Sequence, residues 1–258
     1  MSNFNLKGGV ISIGSLFWET EKNCINKEPS KKLGKYRRIW REDNFEKESI
    51  DIQLPIRYGR KSHNRCDTYT MVFSNSLTNP EYGNGKVLKY QRDLKSFEEL
   101  FIRVIELAIS EGIYKEKSNR RIISNWGSVA LVLNNKLQKS NKGLYEYITI
   151  KWSHLFSKYR NTLNPKNYRV DKNEYPTIDL NGMLTIDLED KMGEFDFLLA
   201  TPVEINVPMY PLGKDIADTI NKFCYLTYFF ENQNHGIVTK DDKIIIDNLK
   251  EKYKQKLN

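Results

Sequence analysis

The stretch GGVISIGSLFWE, Gly8 to Glu19, places an apolar run directly before a glycine, a serine and an aromatic pair. The small and apolar residues of Val10–Phe17 predict a strand that is buried on both faces. A glycine at the end of a strand lets backbone N–H groups approach a ligand, because no Cβ intervenes. We therefore predict a small-ligand site formed by Gly14, Ser15 and Leu16, with a plain turn as the alternative.

Moving outward from this strand, apolar and polar residues alternate over Ile50–Arg60, which is the period of a half-buried strand. Pro55 favours a sheet edge or a bulge within it. The segment Thr68–Ser74 reads as the returning strand of a hairpin. Asn181 and Gly182, set between two apolar stretches, predict a second hairpin in the latter half of the chain.

The clearest predicted helix is Phe97–Glu111, which begins with a capping box at Ser96 and Glu99 and ends at Gly112. Further predicted elements are a loop over Glu19–Lys32, a short mixed element over Lys35–Glu42, strands over Trp126–Asn134 and Phe195–Val207, and helices over Leu144–Tyr159 and Lys214–Phe230.

This mixture of hairpins and helices predicts an α+β fold with flanking helices and a mixed, largely antiparallel sheet or a partly closed barrel. We expect a main domain over residues 1–160 and a C-terminal hairpin and helical part over 175–258, packed on the same core.

Composition sets the broad class of the protein. The chain has 258 residues, of which 39% are hydrophobic, so it can build a packed core. Apolar runs are short, and Cys24, Cys66 and Cys224 form no paired motif, so we expect a cytoplasmic protein with no membrane partner. The net charge of +8 can attract anionic partners, including nucleic acid, and the alternative is that a composition rich in Lys, Asn and Ile raises the charge without a function. The sequence indicates no oligomeric state.

Three short segments, GSLFW, YRRIW and NWGSVALVL, resemble the ChaC and γ-glutamylcyclotransferase-like family. Ile13 stands where that family has a tyrosine. The resemblance implies that the amides of Gly14–Leu16 hold a γ-glutamyl group and that a later glutamate is the acid/base for cyclisation to 5-oxoproline. Glu146 is the nearest match to that glutamate, and a solvated helix residue is the alternative.

Arginine and aromatic residues are dense between residues 31 and 65. Guanidinium groups bind phosphates and carboxylates, and aromatic rings stack on bases or on cations. If Ile50–Arg60 is a regular strand, Tyr58 and Arg60 share one face and line one pocket. We predict that Arg57, Tyr58 and Arg60 recognise an anion, with a solvated face of salt bridges as the alternative.

A rival pattern lies in YPTIDLNGMLTIDLEDK. Asp179, Glu189 and Lys191 follow the outline of a nuclease core, in which two carboxylates hold Mg²⁺ and a lysine orients the attacking water. A polar turn is the alternative here.

These observations favour a small-molecule enzyme or ligand-binding protein that needs no cofactor and takes a small anionic or γ-glutamyl-type ligand. The alternatives are a nucleic-acid-acting protein, such as a metal-dependent nuclease that would need Mg²⁺, and a non-catalytic interaction protein.

Overall fold

The computed structural model describes residues 4–25, 27–114, 122–159, 163–188, 190–223 and 226–255. Its strands are β1 (Gly8–Ser12), β2 (Ile50–Leu54), β3 (Ile56–Ser62), β4 (Thr68–Phe73), β5 (Gly83–Lys89), β6 (Ala130–Leu133) and β7 (Phe197–Ala200). Its helices are α1 (Ser15–Trp18), α2 (Glu28–Asn44), α3 (Phe97–Glu111), α4 (Asn135–Ser140), α5 (Lys142–Ser157), α6 (Gly213–Phe223), α7 (Thr227–Asn234), α8 (Asp242–Asn248) and α9 (Glu251–Lys254).

Five strands form the main sheet in the order β2-β5-β1-β7-β6. Strands β1 and β7 run parallel, whereas the other neighbouring pairs of this sheet are antiparallel. The prediction of an α+β fold with a mixed, largely antiparallel sheet is therefore confirmed. The sheet stays open between the edge strands β2 and β6, so the barrel form of the prediction is wrong.

Strand β1 is buried along its whole length at the centre of the sheet. A Cβ on Gly8 would lie 2.0 Å from the ring of Phe197 on the neighbouring strand, so glycine allows this close packing. The predicted strand over Val10–Phe17 was too long, because the chain leaves the sheet after Ser12. It then turns into α1, where the backbone N–H of Glu19 donates to the carbonyl of Ser15 at 2.8 Å.

The predicted strand over Ile50–Arg60 is two strands that belong to different sheets. Strand β2 pairs with β5, and after Pro55 the chain continues as β3, which pairs with β4 in a separate two-stranded sheet. Proline has no N–H to donate to a ladder, so a change of sheet at this point leaves no backbone donor unsatisfied.

Helix α2 replaces the predicted loop over Glu19–Lys32 from Glu28 onward. Pro29 at its first turn fits a helix start, since the first N–H groups of a helix have no intrahelical partner. Arg37 and Trp40 are buried on its inner side. The arginine interrupts the apolar pattern by which the sequence would have indicated this helix.

Helix α3 agrees with the sequence prediction at both ends. The Ser96 hydroxyl accepts from the backbone N–H of Glu99 at 3.2 Å, and Gly112 adopts a left-handed conformation with φ of 77°. The predicted hairpin at Asn181 and Gly182 is also present as a tight turn, in which Gly182 has φ of 77°.

One hydrophobic core cluster includes residues from Leu6 to Tyr253. It contains members from both parts that the sequence analysis distinguished, and β7 from the later part lies between β1 and β6. Across the described ranges, none of the helices has both the length and the apolar character needed to span a bilayer.

Candidate active site at the end of the first strand

A cavity of about 510 Å³ lies at the C-terminal ends of β1 and β7. Because these strands run parallel, their C-terminal ends meet at one edge of the sheet, where α/β proteins commonly bind ligands. Its walls come from α1, the first half of α2, the end of α3, the end of β3 with the following turn, the segment around Trp126, and α7. The volume is within the range of small-molecule sites.

Gly14 lies against Tyr228 in this cavity. A Cβ on Gly14 would be 2.6 Å from the phenol oxygen of Tyr228, which accepts from the backbone N–H of Met71 at 3.1 Å. The φ of Gly14 is 179°, which other residues also adopt. Position 14 therefore needs glycine because a larger residue would clash with Tyr228, and not because of its backbone conformation.

Ion pairs surround the hydroxyl of Ser15. Arg65 donates to Ser15 Oγ at 3.0 Å and to Glu19 Oε2 at 2.5 Å. Arg37 Nη1 lies 3.1 Å from Glu19 Oε1, and Arg37 Nη2 lies 3.4 Å from Glu111 Oε2. We call these five residues the arginine–glutamate cluster. Its members tie α1, α2, α3 and the β3–β4 hairpin together at the wall of the cavity.

Arg41 holds the C-terminal end of α1, next to Glu19 of this cluster. Its guanidinium donates to the carbonyls of Leu16 at 2.7 Å and Glu19 at 3.0 Å, at the C-terminal end of α1. Burial lowers the pKa of Arg41 to about 10, and the positive charge of Arg37 contributes to this lowering. Arginine still carries its charge at neutral pH, so it stabilises the negative end of the helix dipole.

Glu111 is a carboxyl group of the cavity wall whose pKa is raised. Burial raises the pKa of Glu111, and the Glu19 carboxylate adds to this, while Arg37 and Arg65 oppose it. Its side chain is 16% exposed. A carboxyl group with a raised pKa can hold a proton closer to neutral pH, which is the property of a general acid or base.

Arg60 supplies positive charge to the cavity wall, whereas Nζ of Lys61 lies 5.1 Å from the centre of the ring of Tyr69, which is not among the residues that line the cavity. Arg60 donates to the carbonyl of Glu204 at 2.6 Å, and its Cζ lies 6.0 Å from the centre of the Trp126 ring. Burial lowers the pKa of Arg60. Among the residues that the structure describes, no carboxylate lies within 4.0 Å of either cationic group.

The structure separates the three residues that were predicted to recognise an anion together. A bulge at Gly59 shifts the register, so Tyr58 lies opposite Met71 and Arg60 opposite Thr70. Tyr58 and Arg60 therefore point to opposite faces, and Tyr58 is 1% exposed in the core. The prediction that they share a pocket was wrong, because it assumed a regular strand.

Arg57 also lies outside the cavity wall. Its guanidinium stacks 3.9 Å from the centre of the Tyr210 ring and donates to Ser76 Oγ at 3.2 Å. Of the six predicted ligand-binding residues, the cavity is lined by four, namely Gly14, Ser15, Leu16 and Arg60.

Glu146 is not part of this site. It lies on the exposed side of α5 and its carboxylate is 3.7 Å from Lys142 Nζ. The buried side of that helix is formed by Ile148, Trp152 and Phe156. The expected acid/base glutamate at Glu146 is therefore corrected, because helix periodicity turns this residue towards solvent.

The residues of the nuclease pattern have other contacts. Asp179 Oδ1 accepts from the backbone N–H groups of Asn181 and Met183, both at 2.8 Å, so it caps its own turn. Lys191 Nζ lies 4.0 Å from the centre of the Tyr82 ring. Glu189 is outside the described residues. The described part of the chain contains no cluster of three or more His, Cys, Asp or Glu suited to a metal, and Mg²⁺ binding stays a prediction.

Sequence reasoning missed Glu19, Glu111 and Tyr228, which all line the cavity. Tyr228 is on a helix more than two hundred residues from Gly14, and local pattern does not reveal such a contact. Glu111 ends a well-predicted helix, but its burial depends on α2, which the sequence did not reveal.

Comparison of this chain with protein-family models, with curated proteins and with solved structures found no match.

Proposed function

We propose that the protein binds a small anionic ligand in the strand-end cavity. The observation that carries this proposal is Arg60, which lines the cavity, donates to the carbonyl of Glu204 and has no carboxylate within 4.0 Å in the described part of the protein. The cavity wall holds Arg37, Arg60 and Arg65 against the carboxylates Glu19 and Glu111, which leaves it net positive. An anion would complete the charge balance of this partly buried site.

We also propose that Glu111 exchanges a proton with the bound ligand, which would make the protein an enzyme. The resemblance to the γ-glutamylcyclotransferase-like family implies one glutamate as acid/base, and Glu111 suits that role better than Glu146. In that reaction the substrate amine attacks the γ-glutamyl carbonyl, 5-oxoproline forms, and the glutamate returns the proton to the leaving amine. The raised pKa of Glu111 and its place in the same cavity wall as Ser15 support this role.

Calorimetric titration with pyrophosphate, citrate and a γ-glutamyl dipeptide tests the binding proposal. Arg60→Met should weaken the binding of any accepted anion by about 10- to 100-fold, because a hydrogen bond to a charged group contributes about 1.5–3 kcal/mol. Arg57→Met is the matched control, since Arg57 is on the same strand but outside the cavity. Equal affinities for the two variants would contradict the proposal.

Glu111→Gln tests the proton-transfer role. It should abolish release of 5-oxoproline from the dipeptide while leaving dipeptide affinity within a few-fold. Full turnover by this variant would remove Glu111 from the mechanism without touching the binding proposal.

Nucleic-acid binding is a second candidate, favoured by Lys27, Lys31 and Lys35. These residues recur every four positions at the start of α2, and all three are exposed. The cavity-lining residues Ser30 and Leu33 are on the same helix, but the three lysines are not part of the cavity wall. Lys31→Gln with Lys35→Gln should reduce the salt slope of single-strand binding by about 1.4, because each neutralised phosphate contributes roughly 0.7 to that slope. An unchanged slope would exclude the row as a phosphate-binding surface.

A further inference from the structure

Trp126 presents an aromatic ring to the same cavity, next to the cations. Its loop is fixed by Ser124, whose hydroxyl accepts from the backbone N–H groups of Trp126 at 3.3 Å and Gly127 at 3.2 Å. The carbonyl of Trp126 accepts from the N–H of Glu204 at 2.8 Å. The indole is half-buried and lines the cavity, so the protein holds it in place without covering it.

Arg60 is fixed by the same segment, because its guanidinium donates to the carbonyl of Glu204. A planar ring and a cation are thus held about 6.0 Å apart by a shared backbone contact. Lys61 follows on the same strand, but its Nζ lies over the ring of Tyr69, which is outside the cavity wall. The cavity therefore has a stacking surface beside the positive charge of Arg60.

Ser12 adds a polar group that the fold leaves unused. It lines the cavity at the end of β1 and is 2% exposed, and its hydroxyl oxygen has no hydrogen-bond partner among the described residues. A buried polar atom without a partner costs free energy unless something else satisfies it.

We infer that the anionic ligand is a mononucleotide, with its phosphate on Arg60 and its base against Trp126. This inference rests on the proposed anion site and names a nucleotide in place of the γ-glutamyl ligand, so the two ligands are competing occupants of one cavity. A small dicarboxylate or a free phosphate would neutralise the cations but would leave the indole uncovered. Every nucleobase has a π face that stacks on an aromatic side chain.

Calorimetry with AMP, GMP, CMP and UMP, and with ribose 5-phosphate as the compound lacking a base, tests the inference on the unmodified protein. At least one nucleotide should bind about tenfold or more tightly than ribose 5-phosphate, which is within the range of one base stacked on an aromatic ring. Trp126→Leu should remove this advantage, and Trp126→Phe should keep most of it. Tyr175→Leu, at an exposed aromatic position outside the cavity wall, should change neither affinity.

Arg60→Met distinguishes a failure of the nucleotide inference from a failure of the proposed anion site. It should weaken nucleotides and ribose 5-phosphate by a similar factor, because both carry the phosphate. If ribose 5-phosphate binds as tightly as every nucleotide and Arg60→Met still weakens it, the anion site stands and the nucleotide inference is overturned. If no anion binds the unmodified protein, the proposed function itself fails.

Discussion

Replacing Arg37 by methionine should lower the free energy of unfolding by about 3 kcal/mol, at the lower end of the range for breaking a buried ion pair. The Arg37 side chain is 5% exposed and donates to the Ser110 carbonyl at 2.6 Å. Its removal leaves Glu19 paired with Arg65 at 2.5 Å. Glu111 would lose its ion pair with Arg37, and the charge of Arg65 would compensate this carboxyl group only in part, so Glu111 dominates the loss.

Arg38→Met is the matched control on the same helix. Arg38 pairs with Glu21 and Glu42, each at 3.0 Å, but its side chain is 34% exposed. Ion pairs of this kind contribute about 0–1 kcal/mol. Urea unfolding followed by tryptophan fluorescence measures both variants, and unchanged m-values would show that stability alone has changed.

Adding Glu111→Gln to Arg37→Met identifies the cause of the loss. The double variant should lose less stability than the two single losses added, with a coupling of about 0.5–3 kcal/mol. The pH dependence has a defined sign. A raised pKa in the folded state means that the contribution of Glu111 is full below its ordinary value of 4.5 and is lost as pH rises. The Arg37→Met loss should therefore grow from pH 4 to pH 7. A loss equal to that of Arg38→Met, or one independent of Glu111, would refute the reasoning.

Three further changes test other parts of the structure by chemical unfolding. Gly14→Ala should destabilise the fold by about 1–3 kcal/mol through overpacking against Tyr228. Adding Tyr228→Phe should recover part of that loss. If the effects of the two substitutions simply add, the hydroxyl of Tyr228 is not the group that excludes a Cβ at position 14. Burial raises the pKa of Asp242 from 3.8 to about 7, so its stabilising contribution is full below pH 4 and declines up to pH 7. Asp242→Asn should remove this pH dependence, which amounts to on the order of 4 kcal/mol in the free energy of unfolding between pH 4 and pH 7. If the dependence persists in the variant, another group causes it. Ser96→Ala should lower the free energy of unfolding by about 1 kcal/mol, because it removes the N-cap of α3. An unchanged value would show that the hydrogen bond from the Glu99 N–H to Ser96 Oγ does not stabilise the helix.

The elements that the sequence predicted correctly are those determined by residues within the element itself. Helix α3 has a serine cap, an apolar side and a terminal glycine within one segment, and the turn at Gly182 needs only its own residues. Helix α2 has no comparable apolar side, because Arg37 occupies its buried surface and binds groups from α1 and α3. Its existence therefore depends on contacts that a local pattern does not contain.

The same distinction applies to the candidate site. The place of Gly14 and Ser15 at the cavity follows from a strand that ends in a turn, which the sequence shows directly. The separation of Tyr58 from Arg60 follows from the bulge at Gly59, where a Cβ would lie 2.5 Å from the side chain of Val72. One extra residue in a strand reverses every later side chain, and alternation in the sequence does not reveal it.

The change of sheet at Pro55 places the cavity-lining cations Arg60 and Arg65 on a ribbon and turn outside the five-stranded sheet. Arg60, Lys61 and Arg65 belong to the β3–β4 ribbon and its turn, whereas β1 and β7 belong to the other sheet. Residues 63–67 can therefore vary, with Arg65 kept for its pair with Glu19, while the register of the five-stranded sheet stays the same. Selection or protein engineering can change what the cavity accepts by altering this ribbon tip, on a scaffold whose stability comes from elsewhere.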